Sequence, residues 1–276
     1  MPDCFELEPE RFPTVIPLYR AAQICFPLIF AVLEQRQRGQ VFVDNPNYPE
    51  SALVVTDFGF MNYIGGNRDN DFDAGLARLF AAGRALRPSY LLWYSPPAQW
   101  QKRLDALGPD SVRRRGRTRF AFQQNRTDCL SEPTECPAGF ELRNLDKDLI
   151  QKTRKLGINI DSRFWSSAQD FCEHGLGIGL LKDGEVVSLC YAACVADSLA
   201  EIDIVTQPEY RRRALGECVA RQFIKECVRR AITPTWDCFE GNTASLRLAE
   251  KLGFEAIRTY PMYSFNVGLA SGDFVP

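Results

Sequence analysis

The sequence predicts an α/β (α+β) protein in two parts, each mixing strands with helices. Three observations carry that expectation. Apolar runs of strand length alternate with helix-period runs through both halves of the 276 residues. Residues 126–139 gather turn formers and charges without apolar periodicity, which marks a break between domains at about 1–128 and 139–276. In the second half an apolar, β-branched strand runs through a short turn and three arginines into an amphipathic helix.

Along the first half, Pro17 to Gln37 reads as a helix ended by Gly39, with Leu18, Ile24, Leu28 and Val32 among its apolar residues. Strands are expected at Gln40–Val43, Ala52–Asp57 and Phe58–Ile64, then a helix near Asp71–Leu86. A strand at Ser89–Tyr94, a helix at Pro97–Leu107 and a strand at Arg117–Gln123 complete it. Gly65-Gly66-Asn67-Arg68 reads as a tight turn. The arginines at 113, 114, 115, 117 and 119 read as a solvated strand and turn face; Phe120 and Phe122 make only a weak nucleic-acid pattern.

In the second half, Phe140–Asn144 reads as a strand, followed by helices near Asp148–Lys155 and Ser167–His174. Gly177–Lys182 and Glu185–Cys194 flank Asp183-Gly184, a hairpin signal. Ala200–Thr206 is a strand, Leu215–Ala231 a helix, Thr235–Phe239 a strand and Thr243–Leu252 a helix closed by Gly253. A last pair of strand segments follows.

Composition excludes several classes. A formal charge of −2 gives no global attraction to nucleic acid or to a membrane surface. No run of about 18 apolar residues appears, and the N-terminus carries Asp3, Glu6, Glu8 and Glu10 rather than a basic leader. The ten cysteines contain no Cys-x-x-Cys pair, and His174 is the single histidine, so no metal-ligand cluster can be written. They read as reduced thiols in a cytoplasmic protein, Cys238 being the one beside the expected cleft. His174 falls where a helix gives way to glycines, a place for C-terminal charge.

The chemistry concentrates at Glu201-Ile-Asp-Ile-Val-Thr-Gln-Pro-Glu-Tyr-Arg-Arg-Arg-Ala-Leu-Gly216. The first N–H groups of a helix lack internal partners and carry partial positive charge. Ala214 and Gly216 are small enough to let a diphosphate approach the amides around Leu215, while Arg211, Arg212 and Arg213 supply countercharge. Ordinary helical dihedrals are expected at Ala214, since alanine would be strained at positive φ.

Arg211-Arg-Arg-Ala-Leu-Gly216, read with Asn242-Thr-Ala-Ser-Leu-Arg-Leu-Ala-Glu-Lys-Leu-Gly-Phe254, resembles the two signatures of the GNAT superfamily of acyl-CoA-dependent N-acyltransferases. The likeness covers about residues 139–265. Trp236-Asp-Cys-Phe-Glu-Gly-Asn242, Ser245, Tyr260 and Tyr263 resemble more narrowly the zwittermicin-resistance type. The resemblance implies a GNAT-fold C-terminal domain that uses acetyl-CoA as cosubstrate. It also implies a degenerate GNAT-like N-terminal domain that shapes the substrate side or an interface.

The resemblance further implies that the pantetheine arm lies along the strand holding Ile204 and Val205, one of whose N–H groups polarises the thioester carbonyl, and that Asn242 and Ser245 reach the arm. Asn242 is equally suited to cap the helix it opens. Acylation of an amine needs a base. Glu201 stands where many members carry theirs, and strand alternation puts Asp203 on the same face; a strand carboxylate paired to an arginine is the other reading. Ala249 occupies the usual tyrosine acid position, leaving Tyr260 or Tyr263 as substitutes whose ordinary role is packing. The acceptor implied is a small-molecule primary amine. A protein or peptide amine is the alternative, and a non-catalytic CoA-binding or regulatory protein another. An aminoacyl-tRNA-dependent transferase of doubled fold would call for a basic groove.

Overall fold

The computed structural model describes residues 4–22, 26–65, 70–83, 85–123 and 136–268, which fall into two compact units. The first contains the chain up to Arg117 and again from Tyr260 onward; the second is Thr118–Thr259. The turn expected at Gly66 to Arg68 and most of the break at 126–139 lie outside the described residues.

In the first unit, helices α1 (Ile16–Ala21) and α2 (Pro27–Leu33) replace the single helix expected over 17–37. A proline disfavours helical dihedrals in the residue before it. Phe26 accordingly takes φ −112° and ψ 102°, and the chain starts afresh at Pro27. Strands β1 (Phe5–Glu6), β2 (Gly39–Val43), β3 (Ala52–Thr56) and β4 (Phe60–Ile64) lie antiparallel in that order. Helix α3 (Asn70–Ala82) then carries the chain to β5 (Tyr90–Tyr94), which runs parallel to β4. Helix α4 (Ala98–Ala106) follows and leads into β6 (Val112–Phe122), which starts five residues earlier than expected because its arginines extend the strand. The sheet is completed from the far end of the chain: Met262–Asn266 of β12 (Phe254–Asn266) pair antiparallel with Tyr90–Tyr94. Phe80, Trp93, Trp100 and Phe265 meet in the core beneath it.

The second unit repeats this order of connections. Strands β7 (Glu141–Asn144), β8 (Gly177–Lys182), β9 (Glu185–Ala196) and β10 (Leu199–Thr206) are antiparallel neighbours. Helices α5 (Lys147–Thr153) and α6 (Ala168–His174) intervene between β7 and β8, with a π-helical turn at Ile160–Phe164 that periodicity does not reveal. Helix α7 (Leu215–Arg229) crosses to β11 (Thr233–Phe239), parallel to β10, and α8 (Thr243–Lys251) follows. Residues 118–122 of β6 and the start of β12 also belong here. The expected pair of closing strand segments is thus one strand whose two ends serve different units.

The apolar stripe of α7, with Val219, Phe223 and Cys227, packs in one cluster with Leu189, Cys190 and Ile202 of the sheet. Among the described residues, Cys190, Cys194, Cys218, Cys227 and Cys238 are buried and form no disulfide, whereas Cys172 is exposed. Cys25 and Cys129 lie outside them. His174 closes α6, as expected.

Candidate active site

The site grows from how β10 parts from β11. Their parallel ladder runs from Leu199↔Thr233 to Glu201↔Thr235, after which β10 keeps only its antiparallel neighbour β9. A bulge between Glu201 and Ile202 marks the place, and bulges bend and twist a strand locally. Gln207 donates its N–H to Val187 O at 2.9 Å. Successive amides of a strand point to opposite sides, so those of Asp203 and Val205 also face β9, while those of Ile204 and Thr206 face the open side. Of the two strand amides expected to serve the thioester, Ile204 is therefore available to the cleft. Val205 belongs to the ladder.

The protein's own side chains occupy that open edge. Asp203 Oδ1 accepts from the Ile204 N–H at 2.9 Å, and Arg211 Nε donates to Thr206 O at 3.1 Å. Asp203 Oδ2 accepts from the Tyr191 hydroxyl at 2.6 Å. Burial pushes the Asp203 carboxyl above its ordinary range, against the lowering effect of those two hydrogen bonds. Burial and the adjacent Asp203 charge likewise raise the Tyr191 phenol, keeping it a neutral donor.

Glu201, the other candidate base, is bound elsewhere. Arg119 Nη1 lies 3.0 and 2.8 Å from its two oxygens, the Thr235 hydroxyl donates to Oε2 at 2.9 Å, and Asp237 Oδ2 is 3.7 Å from the same guanidinium nitrogen. The Arg119, Glu201 and Asp237 side chains are 5%, 13% and 2% exposed, so this is a buried network rather than a solvated strand face. The arginine-paired reading of Glu201 describes its surroundings. Arg119 is the residue that sequence reasoning misplaced, because membership of a basic run hid its position between Thr118 and Phe120 on a buried strand end.

Beyond β10 a short 3-10 turn, Pro208–Tyr210, leads to Arg212 at φ 59° and Ala214 at φ 57°, ψ 12°. This corrects the expectation of helical dihedrals at Ala214. A left-handed residue directly before a right-handed helix turns successive N–H groups toward one concavity, which is a binding shape for anions. No side chain caps α7, and its first backbone bond is Cys218 N–H to Ala214 O, so the amides of Leu215, Gly216 and Glu217 remain for a ligand. Packing does not demand glycine at 216: a Cβ there would sit 3.4 Å from Thr206 Oγ1 and 3.7 Å from Ile204 Cδ1, ordinary contacts. Glu217 would repel a diphosphate were it bare, but Lys251 and Arg221 bind it at 2.6 and 3.0 Å. Burial works to raise its carboxyl, and those two hydrogen bonds outweigh it.

At the start of α8, Asn242 Oδ1 accepts from Ser245 N–H at 3.2 Å, so the capping role is realised. Ser245 Oγ accepts from Trp236 Nε1 at 3.0 Å. Ala249 is fully buried, so the usual acid position lies inside the core. Tyr263 is packed in the first unit with its hydroxyl on Asp105 Oδ1 at 2.9 Å, and burial followed by that bond raises the phenol to about 12. Tyr260 joins Phe26 and Tyr94 in the same unit. Both tyrosines pack as their ordinary role predicts. In the first unit the corresponding crossing helix, α3, opens with Asp71 and Asp73, carboxylates unsuited to meeting phosphate.

A splayed parallel pair ending at an uncapped helix, inside a doubled meander, defines the class of a tandem GNAT-fold acyltransferase. The chain belongs to the GNAT acetyltransferase family, which it matches over residues 22–263. It is 30% identical over 242 residues to the uncharacterized N-acetyltransferase YdfB of Bacillus subtilis (strain 168), covering 87% of this chain and 90% of that one. The fold is shared with a GCN5-related N-acetyltransferase-like protein from Streptococcus suis 89/1591, at TM-score 0.72 and 24% identity over 93% of this chain and 99% of that. A tandem GNAT protein from the clavulanic acid biosynthesis pathway aligns at TM-score 0.65 and 14% identity over 97% and 99% of the two chains.

Proposed function

We propose that the second unit binds acetyl-CoA and transfers its acetyl group directly to a primary amine of a small molecule. One observation carries this reading: the open edge of β10 beyond Glu201 runs directly into the uncapped start of α7. The pantetheine amides add to that edge as a further strand would, and the diphosphate takes the amides of Leu215 to Glu217. Arg212 lies in the turn that delivers them, and Asn242 and Ser245 open the facing helix.

The thioester carbonyl takes the Ile204 N–H, displacing Asp203 Oδ1, and the freed carboxylate accepts a proton from the acceptor ammonium. The neutral amine attacks the carbonyl carbon and the carbon–sulfur bond breaks; the second proton, lost by the nitrogen as the amide forms, passes through water to the departing CoA thiolate, and Asp203 returns its own proton to solvent. Burial raises the Asp203 carboxyl, which suits it to hold a proton, while the oxygens of Glu201 are held by Arg119 and Thr235. The narrower likeness of Trp236 to Asn242 to zwittermicin-resistance proteins favours a small aminated metabolite or antibiotic as acceptor.

The test is release of free thiol from acetyl-CoA across a panel of small amines and peptides. Turnover with a small amine is expected. Turnover with peptides alone would move the acceptor class, and binding of acetyl-CoA without thiol release would favour the regulatory reading. Asp203→Asn should lower kcat by about 100-fold or more and leave acetyl-CoA binding intact. The rate should rise with pH as Asp203 deprotonates, with its acid limb above the ordinary aspartate range and absent in Asp203→Asn.

A further inference from the structure

Beside the turn into α7 is a cationic cluster that the reaction above does not use. The β7–β8 register pairs Glu141 with Leu181, which brings Phe140 and Lys182 together at the end of that ladder. Lys182 Nζ lies 5.7 Å from the Phe140 ring centre. The Arg213 guanidinium lies 5.3 Å from the same centre and 5.7 Å from that of Tyr210, and the two rings meet edge to face at 6.1 Å. Gly139, at φ +79°, leaves room for the lysine, since a Cβ there would approach Nζ to 3.2 Å.

Two cations held within about 6 Å of one ring centre gather positive charge that an anion would offset. The nearest acid to Lys182 is the exposed Asp183, at a long 3.9 Å. Among the described residues Arg213 has no ion pair. A guanidinium drawn to aromatic rings by cation–π attraction still has its N–H donors for another partner, and that fork suits phosphate oxygens. The shelf fixes both cations at little further entropic cost when an anion arrives.

We infer that Arg213 and Lys182, held on Phe140 and Tyr210, seat the ribose 3′-phosphate of CoA, so that the protein distinguishes CoA from dephospho-CoA. This rests on the reading of the α7 amides as the diphosphate site, and it moves Arg213 from that diphosphate to the nucleotide end of the ligand.

Calorimetric titration of the full chain with CoA and with dephospho-CoA, at one fixed salt concentration, tests it. The native protein should bind CoA about tenfold or more tightly than dephospho-CoA. Lys182→Gln and Arg213→Gln should each reduce that ratio, and together bring it close to one, with dephospho-CoA affinity changed less than twofold. Arg213→Lys should keep part of the preference. Equal affinity of the native protein for both ligands would overturn the inference. So would variants that weaken both ligands alike, which would return Arg213 to the diphosphate. Binding of neither ligand would overturn the diphosphate reading itself, and the two failures are thereby told apart.

Discussion

Ala214 shows how one dihedral shapes the turn before a helix. Left-handed backbone costs an L-residue roughly 1–2 kcal/mol, and glycine avoids that cost while losing some entropy on folding. Ala214→Gly should therefore stabilise the protein by about 0.5 kcal/mol or more in urea unfolding, with CoA binding retained; a loss of stability would contradict the φ of 57°. Glu226 offers a pH test of the same helix. Hydrogen bonds from Arg229 and Arg230 lower its carboxyl from 4.5 to about 2. Its contribution to stability is thus fully present above pH 4.5 and is lost as pH falls toward 2. Glu226→Gln should flatten that part of the acid unfolding curve, measured by circular dichroism.

At the scale of elements, the strand end at Thr118–Phe122 matters because Arg119 joins Glu201 to Asp237. Removing one member of a buried ion network leaves uncompensated charge and costs about 3–5 kcal/mol. Arg119→Met should therefore destabilise the second unit by about that much, and Glu201→Gln by clearly less, since its amide can still accept from Thr235 and Arg119. Equal, small effects in denaturant titrations would show that the network is not a structural tie. The motif-bearing elements were legible from sequence: the strand at 200–206, the helix from Leu215 and the Asn242 cap follow from periodicity and turn chemistry. The network was not, because Arg119 and Glu201 are 82 positions apart and no local pattern records which strand ends share a sheet.

For the whole molecule, the division into units departs from the division along the chain. Residues 262–266 complete the sheet of the first unit, although some 170 positions separate them from the β5 residues they pair with. A chain ended after Thr259 loses the partner of β5, and with it Tyr263 and Phe265 from the core around Trp93 and Trp100. Such a chain should lose the part of its near-ultraviolet signal that Trp93 and Trp100 give, and become sensitive to protease in the first unit. Retention of both would show that the closing strand is dispensable.

By itself, the sequence determined the mixed strand and helix order, the hairpin at Asp183-Gly184, the turn that opens the helix at Leu215 and the family, because each is written in local periodicity or in a contiguous motif. Tertiary structure alone decided that Glu201 is tied to Arg119 while Asp203 guards the Ile204 amide, that Ala214 is left-handed, and that Tyr263 packs with the first unit. Those outcomes depend on which distant strands pair and on how deeply each group is buried, and strand pairing is a non-local choice that the whole core makes together.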